Sequence, residues 1–430
     1  MSARQTDGSR RIPWASRLLK NAFALMISSI GSGVLGVAFW GVAAHLSPAA
    51  TVGRTSAEIT AMVLLATLAQ LSFGTIFERF LPVAGAETRG FVVRAYVMCV
   101  IFAFALTSIY AFSGLAHSYL PTAFVWRALF IVAVVLWTIF ALQDSVLIGL
   151  RAAKWVPVEN ILFGAMKLAL LPLLVMASHK QGIFLASVSP VILTLIAVNW
   201  YIFARRIPEH VLIKSTSEGL PRAKELIFLA GAQYATLLFN VLTPAIVTLI
   251  VIQRLGAVAN AHYYVPALIS GNLSIFLFSV YKSFVVEAAS EPHALRHHTN
   301  TTIGAMSAVL VPSVLIGVIF APLILRIFGA SYAAHSTTLL RMLLLSLPMS
   351  AVSIFYSAFA WLDRRVWWMA LRDLISACIY FAVLFLLIGH FGIIAIGIAS
   401  LVTSASQGIF FLPISIRRYR QTANYESPVN

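Results

Sequence analysis

Three ionisable side chains stand where the surrounding sequence is apolar. From Ala141 to Val175 the chain reads ALQDSVLIGLRAAKWVPVENILFGAMKLALLPLLV, with Asp144 in a first apolar run and Glu159 and Lys167 in a second. A short basic turn, Arg151-Ala-Ala-Lys154, joins the two runs. Asn160, Gly164 and Lys167 are spaced four and three apart, which places them on one face of a helix. Lys167 follows Val156 by eleven residues, about 16 Å at ~1.5 Å per residue, close to the midplane of a ~30 Å hydrocarbon core. A cation at that depth costs roughly 2.5–3.5 kcal/mol and marks a substrate or ion pathway unless an acid neutralises it. Two chemistries follow: the ammonium binds an anion, or it forms a structural pair with Asp144, which lies at a similar depth about 10 Å from its own span end.

Further candidates share the spans. Arg127, Arg341 and Arg372 each lie about 8–10 Å from a span end, so each either snorkels to the interface or adds positive charge to an interior site. Asp373 follows Arg372, and consecutive residues are expected to point apart on a helix. Gln70, Gln143, Gln233, Asn240, Asn272, His262, Tyr263 and Tyr264 add polar groups to an interior that reads as wet. The candidate substrate-binding set is Lys167, Arg127, Arg341, Arg372, Asn160 and Asn240, and the candidate ion-coupling acids are Asp144 and Asp373.

Composition dictates what holds these residues. Sixty per cent of the 430 residues are hydrophobic and 10% charged, against about 25% charged in a soluble domain, and mean hydropathy is +0.92. The fold class is all-α and polytopic. The runs are continuously apolar, whereas barrel strands would alternate. Twelve spans are expected, near 21–45, 55–78, 91–116, 122–150, 156–178, 183–205, 225–252, 259–284, 302–328, 334–362, 366–389 and 391–416. The first span is too long for a signal-peptide core and lacks a cleavage pattern. It carries the small-residue pairs Ser29/Gly33 and Ser32/Gly36, suited to close helix packing. Pro172, Pro190, Pro244, Pro312 and Pro348 read as interruptions and candidate hinges.

Charge sets the orientation. Twenty-two Lys and Arg fall in the two tails and the even-numbered turns, against Arg54, Lys180, Arg254 and Arg326 on the opposite side. The positive-inside rule puts both termini in the cytoplasm, with the chain expected to span the inner (plasma) membrane of the cell. The formal charge of +16 is thereby explained by topology, and no nucleic-acid partner is expected. The chain divides into a basic tail (1–20), a six-helix bundle (21–205), a cytoplasmic linker (206–224), a second six-helix bundle (225–417) and a tail (418–430). Two halves with the same even number of spans share an orientation, so any repeat is parallel. Leu150–Trp155 (LRAAKW) and Leu362–Trp367 (LDRRVW) occupy equivalent turns.

No GxxxxGK[ST], HExxH or GxSxG motif occurs, and no Asp-x-Asp pair offers a nucleotide-sugar metal site. Cys99 and Cys378 each sit in an apolar run, so neither a disulfide nor a metal centre is implied. No enzyme activity and no cofactor are expected. Neither a filter-like loop nor an acidic ring points to a channel.

Asn21 leads a Gly/Ser-rich first span, Gly74 and Phe77-Glu78-Arg79-Phe80-Leu81-Pro82 end the second, and Gly149-Leu150-Arg151 precedes Asn160 and Lys167. Together with Leu325–Tyr332 (LRIFGASY), these stretches resemble the multidrug/oligosaccharidyl-lipid/polysaccharide (MOP) flippase superfamily, and within it the bacterial O-antigen-type flippases of lipid-linked oligosaccharides. The resemblance spans nearly the whole chain and implies two six-helix bundles around a cavity of alternating exposure. It implies an isoprenoid-diphosphate-linked glycan as substrate, membrane lipids as surroundings, and a polysaccharide polymerase or ligase as candidate partners. Drug-extruding relatives tend to carry an acid in the first helix or elsewhere in the N-terminal bundle, and the first helix here, 21–45, has none. The alternatives are a cation-coupled multidrug or small-metabolite exporter of the same fold and, from another class, a membrane polymerase or ligase, which needs a larger outer loop than this chain offers.

The charge count predicts that a membrane-impermeant thiol reagent added to intact cells labels a cysteine placed at position 180 and spares one at 214; labelling of 214 alone would reverse the orientation.

Overall fold

The computed structural model describes residues 31–213, 234, 241–290, 294–362 and 366–422, which are helical with no strand among them. Without water in a hydrocarbon core, each backbone N–H and C=O must be satisfied within its own segment, and long apolar runs therefore coil into helices. The first part comprises α1 (Gly31–Leu46), α2 (Ala49–Ala69), α3 (Phe73–Phe80), α4 (Thr88–Phe112), α5 (Phe124–Gly149), α6 (Trp155–Ala177), α7 (Gly182–Tyr201) and α8 (Ile207–Ile213). The second comprises α9 (Val241–Arg254), α10 (Gly256–Ser290), α11 (Leu295–Ile319), α12 (Ala321–Arg326), α13 (Ala330–Leu362), α14 (Val366–Phe391) and α15 (Ile394–Thr422). Ten helices are long and apolar enough to cross a membrane, and α1 and α9 are shorter apolar helices at the edge of the described residues. These are the twelve apolar segments the sequence predicts, packed as two six-helix bundles. The linker expected at 206–224 falls largely outside the described residues.

Several spans differ from expectation. The second was expected over 55–78, but α2 starts at Ala49 and stops at Ala69. Leu71 and Ser72 then take left-handed conformations (φ 49° and 63°) before α3 resumes. At the break the Gln70 carbonyl accepts from Phe73 N at 2.8 Å and also from Cys99 Sγ at 3.6 Å. Left-handed backbone is costly for residues with a Cβ, and no Gly or Pro at 70–72 announces it. The third span, expected to reach 116, ends at Phe112 ahead of Gly114 (φ +81°). The ninth, expected as one element, divides into α11 and α12 at Phe320. Pro172, Pro190, Pro312 and Pro348 lie inside continuous helices rather than interrupting them.

The bundles meet through α1 and α2 on one side and α10 and α13 on the other. Phe39, Trp40 and Ala43 of α1 share one buried core with Ala261 and Val265 of α10 and Leu340 and Leu344 of α13. Trp40 packs edge-on against Tyr264, ring centroids 4.8 Å apart. The tightest approach is at Gly53 of α2, where a Cβ would lie 1.7 Å from the Ala257 carbonyl oxygen. Fully buried Asn260 donates to the Gly53 carbonyl at 2.8 Å and to Ser56 Oγ at 3.1 Å. A residue larger than glycine is excluded there by backbone contact alone. This end carries the short connection 47–48 between α1 and α2, within the stretch 46–54 that the charge count places outside.

Gly53→Val is accordingly expected to prevent closure. With Cys99 and Cys378 replaced by alanine and a cysteine introduced by Ala261→Cys, reaction with a water-soluble maleimide should be several-fold faster in Gly53→Val than with Gly53. Equal rates would mean that this contact does not hold the end shut.

Candidate functional site

The turn between α5 and α6 sets the site. Arg151 takes a left-handed conformation (φ 56°) while Ala152 N donates to the Leu147 carbonyl at 2.8 Å, reversing the chain within a few residues. Two consecutive residues of α5 then meet two of α6. Gln143 Nε2 donates to Glu159 Oε1 in a short contact, and Asn160 Nδ2 donates to Asp144 Oδ2 at 3.1 Å. Asn199 of α7 extends the network by donating to Gln143 Oε1 at 2.8 Å. Each carboxylate keeps one buried oxygen without a hydrogen-bond partner, Asp144 Oδ1 and Glu159 Oε2, as do Tyr96 Oη and Asn199 Oδ1. Glu159 is 4% exposed and Gln143 wholly buried. Amide donors hold the acids in place but do not neutralise them.

Lys167 takes no part in this network. The ion pairs among the described residues include Arg206–Glu209, His298–Glu287 and Arg372–Asp373, and Lys167 is in none of these. The structural pair with Asp144 is therefore not formed, and Asn160 fills that position instead. The Lys167 ammonium lies over two ring faces, 4.9 Å from the Phe39 centroid and 5.4 Å from that of Phe163. A cation over an aromatic face is attracted by the ring quadrupole. Gly164, in the predicted stripe, lets Leu35 of α1 approach to 2.8 Å of where a Cβ would be, which brings Phe39 within reach of α6.

The other candidates lie elsewhere. Arg127 is in the first turn of α5, shallower than expected, with Cζ 5.2 Å from the Phe112 centroid at the end of α4. Arg341 is exposed and donates from Nε to the Val318 carbonyl at 3.0 Å, capping the last turn of α11. Arg372 and Asp373 do meet, against the expectation that neighbours on a helix diverge: Arg372 Nε reaches Asp373 Oδ1 at 3.0 Å. Both side chains are long or flexible enough to bend back along the helix. Arg372 Nη1 also donates to the Ser353 carbonyl at 3.0 Å, to Ser353 Oγ at 3.2 Å and to Ser357 Oγ. Asn240 lies outside the described residues.

Three features escaped the reading of the sequence. Phe39 and Phe163 are the first, although Phe163 stands four residues before Lys167 and so on its face. Glu58 of α2 is the second, 3% exposed and in none of those ion pairs. A hydroxyl-lined cavity of about 330 Å³ inside the second bundle is the third, with Tyr263, Ser270, Ser350, Thr403 and Gln407 in its wall. A neighbouring space of about 290 Å³ shares Thr403 and Gln407 and adds Asp373 and Ser376. Single serines dispersed over several helices give no sequence signal.

No protein-family profile matches the chain, and neither does any curated protein. Solved structures do resemble it. An inward-facing multidrug resistance MATE family transporter of the MOP superfamily gives a TM-score of 0.70 at 14% identity, over 94% of this chain and 100% of that one. An outward-facing one gives 0.61 at 13%, over 98% and 100%. A MOP superfamily transporter from Pyrococcus furiosus, described as having a binding pocket of reverse polarity that suggests a different function, gives 0.62 at 12%, over 98% and 100%. At these identities the likeness establishes the fold.

The network predicts that Gln143→Leu, which strips Glu159 and Asn199 of a buried partner, lowers stability by about 1–3 kcal/mol, read as a lower thermal midpoint in detergent. Gln143→Leu with Glu159→Leu should recover most of that loss.

Proposed function

We propose that this chain is a transporter that flips an isoprenoid-diphosphate-linked oligosaccharide, a cell-surface polysaccharide precursor, from the cytoplasmic to the outer leaflet by alternating access. The observation that carries the reading is Lys167, a half-buried cation twelve residues into α6 with no acid within ion-pair distance among the described residues. A diphosphate supplies the missing counter-charge through charge-assisted hydrogen bonds, while the isoprenoid stays in lipid. The fold is that of MOP superfamily transporters, and the contact of Gly53 with Ala257 lies at the end that the charge count assigns to the outside, which supports entry of substrate from the cytoplasm. Likeness to an inward-facing relative agrees with this. The Pyrococcus furiosus relative indicates that pocket polarity varies within the fold, so the sign of the charge carries more weight than the architecture.

A second reading is a cation-coupled multidrug or small-metabolite exporter. The unpartnered carboxylate oxygens of Asp144 and Glu159 favour it, since buried acids without counter-charge suit a proton or metal cation; Asp373, paired with Arg372, is not of that kind. The two readings combine if the acids supply the coupling and Lys167 binds the cargo.

Lys167→Ala is expected to abolish glycan export in a strain lacking its own copy, with membrane insertion intact. Lys167→Arg should retain part of it, because charge is kept but geometry changes. Asp144→Asn with Lys167→Met should remain inactive; recovery of export in that double variant would reduce Lys167 to a structural residue.

A further inference from the structure

We infer that Phe39 and Phe163 are positioning residues for Lys167, holding its ammonium as a free cation and keeping it from the carboxylates of Glu159 and Asp144. The inference rests on the reading of Lys167 as the diphosphate-binding cation. Glu159, Phe163 and Lys167 follow one another at intervals of four on α6, which aligns them along one face. Long helical side chains lean toward the N-terminus of their helix, so Lys167 leans toward Phe163 and, beyond it, Glu159. Two buried acceptors without partners wait in that direction, Asp144 Oδ1 and Glu159 Oε2. An unobstructed ammonium would be drawn to them and would present no charge to a ligand. Phe163 comes between Glu159 and Lys167 in that series along the helix and takes the ammonium on its ring face.

Neither ring is free to swing aside. Phe163 packs on Phe140 and Trp137, with centroids 5.0 and 5.7 Å away. Phe39 is 1% exposed and sits edge-on to Trp40 at 5.5 Å, and Trp40 is locked in turn against Tyr264 of the other bundle. Ring faces attract the cation without consuming its charge as a carboxylate would. An ammonium has three donors, and two ring faces leave one for an anion. The clamp therefore keeps the cation in place and unspent.

The test is binding of farnesyl diphosphate to the purified protein in nanodiscs. Replacing Phe39, and separately Phe163, by mono-, di- and trifluorophenylalanine withdraws charge from the ring face while keeping its shape. Affinity should fall stepwise, by about fivefold at the trifluoro stage for each ring. Phe163→Leu should lose about tenfold, and Glu159→Gln in that background should restore most of it, because the competing carboxylate is gone. A flat fluorine series, or no rescue by Glu159→Gln, overturns the clamp. Lys167→Ala separates the two levels: if it weakens binding while the fluorine series is flat, only the clamp fails, and if it leaves binding unchanged, the diphosphate reading fails with it.

Discussion

A hydrocarbon core tolerates a charge only beside something that answers it, and the two bundles meet that constraint differently. In the second, Arg372 and Asp373 answer each other, with Ser353 and Ser357 taking up further guanidinium donors. In the first, the charges are kept apart. Asp144 and Glu159 rest on amide donors, and Lys167 rests on aromatic faces. Amides and rings hold charged groups without cancelling them. The first bundle therefore holds its acids and its lysine on separate, neutral partners, whereas Arg372 and Asp373 of the second form an ion pair.

The packing between bundles depends on the same helices. Phe39 and Trp40 are adjacent on α1: one faces the ammonium of Lys167, the other meets Tyr264 of α10. Gly53 and Ser56 of α2 meet Asn260 of the same α10. The elements that close one end of the molecule thus also form one wall of the charged site. A change in how α1 sits against α10 must alter the surroundings of Lys167, and the reverse holds as well, because coupling between sites is reciprocal.

Much of this was legible in the sequence, and the remainder was hidden for identifiable reasons. Continuous apolar runs and short turns announce the helices, since hydrocarbon forces backbone bonds to be local. Lys167 was conspicuous by its depth, and Asp144 and Asn160 by spacing. The break at Leu71 and Ser72 was invisible because a single serine, with no Gly or Pro at 70–72, is a weak turn signal against a continuous apolar run. The Arg372–Asp373 pair was missed because backbone periodicity says where Cβ atoms point and nothing about where a flexible side chain ends. The aromatic partners of Lys167 escaped because one of them, Phe39, comes from a helix 128 positions away in the sequence, and phenylalanines in apolar spans look alike.

The four intramembrane cations singled out by type are, in the structure, not equivalent. Arg341 spends its Nε on a helix-end carbonyl, Arg372 is bonded to an acid and two serines, and Arg127 stands in the first turn of its helix. Lys167 alone of the four combines depth with freedom from any hydrogen-bonding or ionic partner among the described residues. An ordinary solvent-facing lysine has water for its donors, and a structural one has an acid. Lys167 is half-buried, has no acid within ion-pair distance among the described residues, and lies against two rings. Ring faces hold the ammonium without an ion pair, and on the function proposed above this leaves its charge available to an anion.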